Sequence, residues 1–246
     1  MKKIVGIMQP YFMPYIGYWQ LLNAVDEYVI YDDVNFIKGG WINRNRILLN
    51  GQPSYINVPM IGASSFKHIN EISVNNDERI INKTLKTIAA AYSKAPYYEV
   101  VYPLIEKMFK CKKESLSSFI WYSTIIVCEY LDIDTKIVLS SNLEKNVKLK
   151  GQDKVIAICK ELGASDYYNA IGGQELYSYE AFESEGINLN FVETNKIEYS
   201  QFDNEFVPYL SMIDIMMFNS KEEIKEMLSQ YRLINNKEKG KSLCLK

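Results

Sequence analysis

The chain has 246 residues, 48% of them hydrophobic, with 28 Lys+Arg against 30 Asp+Glu for a formal charge of -2. That is apolar material enough for one large domain or two small ones. The charge balance excludes a broad nucleic-acid or anionic-membrane surface, which needs concentrated positive charge, but not a small anionic substrate.

Four dispersed cysteines (Cys111, Cys128, Cys159, Cys244) show no C-x-x-C spacing, and His68 is the one histidine. Neither a disulfide nor a bound metal is expected from such a set. The N-terminal run KIVGIM is cut short by Gln9, Pro10 and Pro14, too early for a signal peptide. No apolar stretch is long enough for a membrane span. A cytoplasmic protein with reduced thiols is expected.

Residues 3–8 read as a buried strand that stops at Gln9-Pro10. A helix at 16–24 and a strand at 27–31 follow, ending at Asp32-Asp33; strand, loop, helix, strand is the sequence form of a βαβ unit. A third strand is expected at 54–60 and an edge strand at 68–74. Residues 77–131 read as mostly helical, with Leu116, Phe119, Ile120, Val127, Tyr130 and Leu131 on one apolar face of the last helix. The alternation then resumes with a strand at 136–141, a helix at 152–162 stopped by Gly163, and a strand at 166–173 running into a glycine loop. A short helix at 179–185, a strand at 187–193 and a core helix at 209–218 opened by Pro208 come next. Ser220-x-x-Glu223 is a capping box for a terminal helix.

The expected architecture is a single α/β domain over 1–234, with a helical insertion at 77–131 and a disordered polar tail at 235–246. Its mainly parallel sheet takes strands near 3–8, 27–31, 55–60, 136–140, 167–170 and 188–193, with 3–8 central.

Ligands of open parallel sheets gather beyond the carboxyl ends of the strands. That places Gln9, Pro10, Asp32 and Asp33 at the crevice. Adjacent aspartates in an extended chain point in opposite directions. Asp33 is the favoured one, to accept a proton from an attacking amine or to bind sugar hydroxyls; loop capping is the plain alternative. The stretch 38–46 concentrates Lys38, Trp41, Asn43, Arg44 and Arg46. Arg grips phosphate by paired hydrogen bonds and Trp stacks on a sugar or base, as a nucleotide-sugar diphosphate requires; a solvated hairpin is the alternative. Arg44 and Arg46 alternate and should share a face, with Asn45 opposite.

His68 is a candidate acid–base group, because histidine exchanges a proton near neutrality, although a surface or packed role is commoner. Asn169, Gly172 and Gly173 follow another strand, and glycines permit close backbone approach to a ligand. Ser140-Ser141 ends a strand and can touch a ligand. Lys145, Lys148 and Lys150 loosely resemble the lysine loop of adenylate-forming enzymes, but the solvated reading is preferred there. Cys128 and Cys159 fall on buried faces, where a thiol stays inert. One cleft is expected to gather Gln9, Tyr15, Asp33, Asn43, Arg44 and Arg46 with Gly172 and Gly173.

The run Met8-Gln9-Pro10-Tyr11-Phe12-Met13-Pro14-Tyr15-Ile16-Gly17-Tyr18 is followed by Tyr31-Asp32-Asp33-Val34-Asn35-Phe36-Ile37-Lys38 and by Trp41-Ile42-Asn43-Arg44-Asn45-Arg46. This succession closely resembles the signature of the WbqC-like family of bacterial proteins from surface-polysaccharide gene clusters. Ala91 to Tyr98, Leu162-Gly163-Ala164 before Tyr167-Tyr168, and Pro208 to Asp214 fit as well, so the resemblance covers nearly the whole chain. It departs at Met8 and Thr84, where relatives carry histidine. The resemblance implies an enzyme of O-antigen or capsule assembly that modifies an amino sugar, by an amino acid or another acyl group in amide linkage.

Tyr15-Ile16-Gly17-Tyr18 stands where class I nucleotidyltransferase-like enzymes carry H-x-G-H. There the glycine lets a base approach and the helix N-terminus faces phosphate. Pantothenate synthetase, which makes an amide through an acyl-adenylate, resembles this segment in order. The likeness implies a Rossmann-like, nucleotidyltransferase-like sheet with Tyr15, Gly17 and Tyr18 at a ligand; a tight strand-to-helix turn is the alternative.

The expected function is an acyl- or aminoacyltransferase acting on the amine of a nucleotide-linked amino sugar. ATP or an acyl or aminoacyl thioester would be the co-substrate and an acyl carrier protein a partner, with no tightly bound cofactor. The alternatives are a non-catalytic nucleotide-sugar-binding protein and an ATP-using nucleotidyltransferase-like enzyme.

Overall fold

A computed structural model describes residues 2–203 and 205–235. Its first strand, β1 (Ile4–Met8), lies inside a six-stranded sheet between β2 (Glu27–Ile30) and β8 (Asp166–Ala170), parallel to both. Beyond β2 lies β7 (Lys136–Leu139), and beyond β8 lies β9 (Asn188–Thr194), again parallel. The chain thus winds outward from β1 to β7 and returns on the other side of β1 at β8. That is the doubly wound order of a Rossmann-like sheet, with its switch point between β1 and β8. An antiparallel edge strand, β10 (Tyr231–Ile234), closes the β9 side; it was not expected from the sequence.

Side chains alternate between the two faces, as the period of a strand demands. Val5, Ile7, Val29, Tyr167, Leu189 and Phe191 pack with α5 (Gly151–Glu161) and α6 (Tyr179–Ser184). Tyr28, Ile30, Tyr168 and Val192 face the larger core, shared with α1 (Ile16–Asn23) and the helices of 77–131. α1 is buried from Ile16 to Leu22, pressed between the sheet and α8 (Lys221–Leu228). Full burial of a residue such as Leu21 or Leu22 stabilises by about 1.5–3 kcal/mol. Gln20 is tolerated in that core because its amide donates to the carbonyls of Met227 at 2.8 Å and Gln230 at 3.1 Å. Gly163, at φ +66°, follows the end of α5 in the left-handed conformation that its lack of Cβ permits.

Residues 77–131, expected to be mostly helical, carry α2 (Glu78–Tyr92), α3 (Tyr98–Phe109) and α4 (Leu116–Leu131). The strand expected at 54–60 does not join the main sheet. Its residues form β4 (Gln52–Asn57), paired antiparallel with β3 (Arg44–Leu49) in a separate hairpin. Asn50-Gly51 makes the turn with both residues at positive φ (52° and 72°), the dipeptide that a tight hairpin turn prefers. The expected edge strand at 68–74 is a 3-10 turn, Ile69–Glu71, followed by a two-residue β6 (Ser73–Val74) against β5 (Met60–Ile61).

The helix expected from 209 starts later, as α7 (Met212–Phe218), because Tyr209 is left-handed (φ 57°) and the Ser211 hydroxyl caps the helix. The capping box of Ser220 and Glu223 forms at α8 as read. Residues 236–246 of the expected disordered tail lie outside the described residues. Among the described residues no helix is long and apolar enough to cross a membrane.

Candidate functional site

The loops after β1, β2, β7, β8 and β9 share one edge of the sheet, since these strands are parallel. Asp32 and Asp33 follow β2 and point to different partners. Asp32 is fully buried, and its carboxylate accepts the Ser141 N–H at 2.9 Å and the Ser141 hydroxyl at 2.8 Å, fastening the turn after β7. Asp33 turns to two lysines. Its Oδ2 lies 3.1 Å from Lys145 Nζ and 3.0 Å from Lys154 Nζ, whose side chains are 3% and 7% exposed.

Lys154 also donates to the Asp33 carbonyl at 2.9 Å and stands 4.9 Å from the centre of the Tyr31 ring. Lys145 donates to the carbonyls of Ser140 and, at 3.3 Å, Leu143. Burial opposes the Asp33 charge, but the ammonium groups of Lys154 and Lys145 outweigh it. They hold its carboxyl below the usual carboxylate range. A carboxyl held ionised in this way is a weak base, better suited to orienting two lysines than to taking a proton.

These groups line a cavity of about 490 Å³ with Asn70, Ser141 and Lys150. His68 lies on its wall, exposed, its strand-like backbone bridged to Asn35. The N-terminus of α5 opens there at Gly151, without a side-chain cap. Two ammonium groups against one carboxylate, beside a helix N-terminus, favour an anionic or carbonyl oxygen. The two residues expected to be catalytic, Asp33 and His68, therefore share one cavity.

Lys154 was missed as a site residue, and Lys145, expected to be solvated, is instead buried against Asp33. For Lys154 a signal existed: it lies four residues before Ile158, on the buried stripe of α5, where a lysine is out of place unless it is paired. Nothing in the sequence places Lys145 against Asp33.

The expected cleft is not one cavity. Tyr15 lines a separate cavity with Thr194, Tyr199 and Tyr209. Gly17 does not serve a base there: a Cβ on it would sit 2.6 Å from the Tyr15 ring and 2.5 Å from Thr194 Oγ1. The space above the glycine is filled by Tyr15 itself. Tyr18 is buried and donates to the Gln9 carbonyl at 3.2 Å, so it shapes the turn, beside a buried Pro10 and a half-buried Gln9.

At the switch point, the Asn169 amide donates to the Ile7 carbonyl at 3.3 Å and to the hydroxyls of Tyr167 and Tyr177. A Cβ on Gly173 would meet Asn169 Oδ1 at 2.7 Å, so that glycine serves packing, while Gly172 faces open space.

Arg44 and Arg46 share one face of β3 and Asn45 is buried on the other, donating to the carbonyls of Phe12 and Met13 at 3.0 Å each. Arg44 lies 4.5 Å over the Tyr55 ring and donates to the Gly39 and Gly40 carbonyls. Arg46 lies 5.5 Å over Trp41 and donates to the Tyr209 carbonyl at 3.3 Å. This is an aromatic–cationic strip beside the Tyr15 cavity. Lys38 is exposed nearby in sequence, and the Asn43 carbonyl accepts the Val58 N–H at 2.7 Å.

Cys128 and Cys159 are buried, and burial pushes both thiols up to about 12, which makes them poor nucleophiles. Among the described residues no group of three or more His, Cys, Asp or Glu is placed to hold a metal ion.

The model of the WbqC-like protein family matches residues 9–226, a span that includes both cavities. "Uncharacterized protein Rv1507c" of Mycobacterium tuberculosis (strain ATCC 25618 / H37Rv) is 25% identical over 236 residues, covering 94% of this chain and 100% of the mycobacterial protein. No solved structure matches the chain.

Proposed function

We propose that this chain, which belongs to the WbqC-like protein family, is an acyl- or aminoacyltransferase that forms an amide on the amine of a nucleotide-linked amino sugar for surface polysaccharide. The observation that carries the reading is the Lys145–Asp33–Lys154 cluster at the carboxyl ends of β2 and β7, with His68 on the same cavity wall. In the proposed step the amine nitrogen attacks the carbonyl carbon of an acyl-adenylate, formed when a carboxylate attacks the α-phosphorus of ATP and pyrophosphate leaves, or of an acyl thioester carried by an acyl carrier protein. The C–N bond forms, the C–O or C–S bond breaks, and AMP or a thiol leaves. The proton lost by the amine passes to His68, which gives it to the departing thiolate or, on the adenylate route, to solvent. The two lysines, fixed in advance by Asp33, stabilise the oxyanion that develops on the acyl oxygen.

The test is to mix the protein with a nucleotide-linked 4-amino sugar and either an acyl thioester or a carboxylate with ATP, and to follow amide formation by mass spectrometry. Amide product is expected, at least about a hundredfold slower with Lys154→Ala and with His68→Ala. A second reading, nucleotide-sugar binding without catalysis, draws on one observation. The ammonium groups of Lys145 and Lys154 direct their hydrogen bonds to Ser140, Leu143 and Asp33, as a purely structural latch would. Tight binding of the nucleotide sugar with no amide from any donor would select that reading.

A further inference from the structure

The cavity on the β9 side takes no part in the step above, and its lining differs in kind from the lysine pocket. It holds about 480 Å³ and is walled by Tyr15, Tyr199, Phe206 and Tyr209. The rings meet as two corners: Tyr15 and Tyr209 at 74° with centroids 6.1 Å apart, Tyr199 and Phe206 at 75° and 5.1 Å. A flat aromatic guest in such a corner stacks on one ring and turns its edge to the face of the other, both favoured geometries. Among the described residues the one cation lining the cavity, Lys196, is paired at 2.8 Å with Glu198, and Arg46 stands outside it with its guanidinium on the Tyr209 carbonyl, so the walls themselves are mainly aromatic. Thr194 and Asn195, at the end of β9, supply a hydroxyl and an amide along one side, enough to read the polar edge of a ring.

The walls are also held in unusual backbone. Met13, two residues before Tyr15, has φ 43°, and Tyr209 has φ 57°, both left-handed without being glycine. The surrounding structure enforces them. The Met13 carbonyl accepts from the Asn45 amide at 3.0 Å and the Ser211 hydroxyl at 2.8 Å, and the Tyr209 carbonyl accepts from Arg46. Behind Tyr199, its hydroxyl donates at 2.7 Å to the buried Asp214 carboxylate, which also takes Tyr92 at 2.6 Å. Tyr209, 71% exposed, owes its place to these bonds and not to burial.

We infer that this cavity seats an uncharged nucleobase, stacked in the Tyr15–Tyr209 corner. The ends of β2 and β9 are three strand spacings apart, about 14 Å. A nucleoside diphosphate sugar bridges that gap, with its base on the aromatic side, its phosphates passing Gln9 and Gly172, and its sugar at Asp33 and His68. The path of the ligand rests on the transferase reading; the base site does not.

Saturation-transfer difference NMR tests the base site with uridine, thymidine, adenosine and guanosine, and with the methyl glycoside of N-acetylglucosamine as the sugar control. Transfer to the base protons of at least one nucleoside is expected, with little to the glycoside. That nucleoside should bind Tyr209→Ala about tenfold or more weakly, since stacking on one ring is worth about that factor, and Lys154→Ala with unchanged affinity. ATP and UDP-N-acetylglucosamine, run as competitors, tell a free nucleotide from a nucleotide sugar as the source of the base. Undiminished transfer in Tyr209→Ala, or transfer to the glycoside alone, overturns the inference. Amide formation failing while nucleoside binding persists overturns the transferase reading and leaves the base site standing.

Discussion

Asp33 and Asp214 are both carboxylates drawn out of water, one beside β2 and the other in α7, and they meet opposite company. Asp33 has two ammonium groups within 3.1 Å, and these prevail over the cost of burial to hold its carboxyl low. Among the described residues Asp214 has only neutral donors: Tyr92 at 2.6 Å, Tyr199 at 2.7 Å and Gln201 at 2.7 Å. Burial raises its carboxyl, and these three bonds offset only part of the rise. The difference divides the molecule by task. The β2–β7 side is built around buried charge, and the β9 side lines its cavity mainly with aromatic rings.

Removing the charge balance on the first side is expected to have the largest effect. Asp33→Ala leaves two nearly buried ammonium groups without a counter-ion and should cost about 3–5 kcal/mol in urea unfolding. Adding Lys154→Met should recover part of the loss; an Asp33→Ala protein as stable as the wild type would show that the cluster is not electrostatically built. On the other side, Tyr92→Phe strips a partner from Asp214 Oδ1 and from the Leu48 N–H, which meets the Tyr92 hydroxyl at 2.9 Å. About 1–3 kcal/mol should be lost, without a change in charge. Equal salt dependence of the two variants would contradict the contrast.

The pH dependence should separate the two sides by sign. The folded-state value of Asp214 lies above the unfolded value of about 3.9, so its contribution is full below about pH 3.9 and lost as pH rises through the folded value. Asp33 is the reverse: its contribution is full above about pH 3.9 and lost as pH falls through its lowered value. Urea stability across this range, for Asp214→Asn and Asp33→Asn beside the wild type, should show the slope reduced on opposite flanks. The smallest effect is expected at the exposed strip. Arg44→Ala removes a cation–π contact with Tyr55, worth about 0.5–1 kcal/mol, together with its donation to the Gly39 and Gly40 carbonyls, and should move the unfolding midpoint least of these variants. A larger shift would mean that the strip is part of the core.

Some of this arrangement could be read from residues near each other in the chain. Ile4–Met8 as the inner strand, the helices at 77–131, and the opposite aims of Asp32 and Asp33 follow from side-chain period and apolar spacing. The hairpin was legible too, in Asn50-Gly51, and was misassigned because the β-rich run after it fits a sheet strand equally well. Lys145 and Lys154 are 112 and 121 residues beyond Asp33; their convergence depends on β7 docking beside β2 and on α5 lying across that end. Tyr209 and Tyr15 are likewise far apart in sequence, brought together by Arg46 of β3 and by Ser211, the cap of α7.

The sequence by itself determined the alternation of strands and helices, the family, and the places where polar residues stop each strand, because these depend on local spacing and turn chemistry. Only the tertiary structure decided which polar residues share a cavity. Strand order, not chain order, sets neighbours at the edge of a sheet, and burial sets whether a lysine there is solvated or held against a carboxylate. A local pattern contains neither quantity.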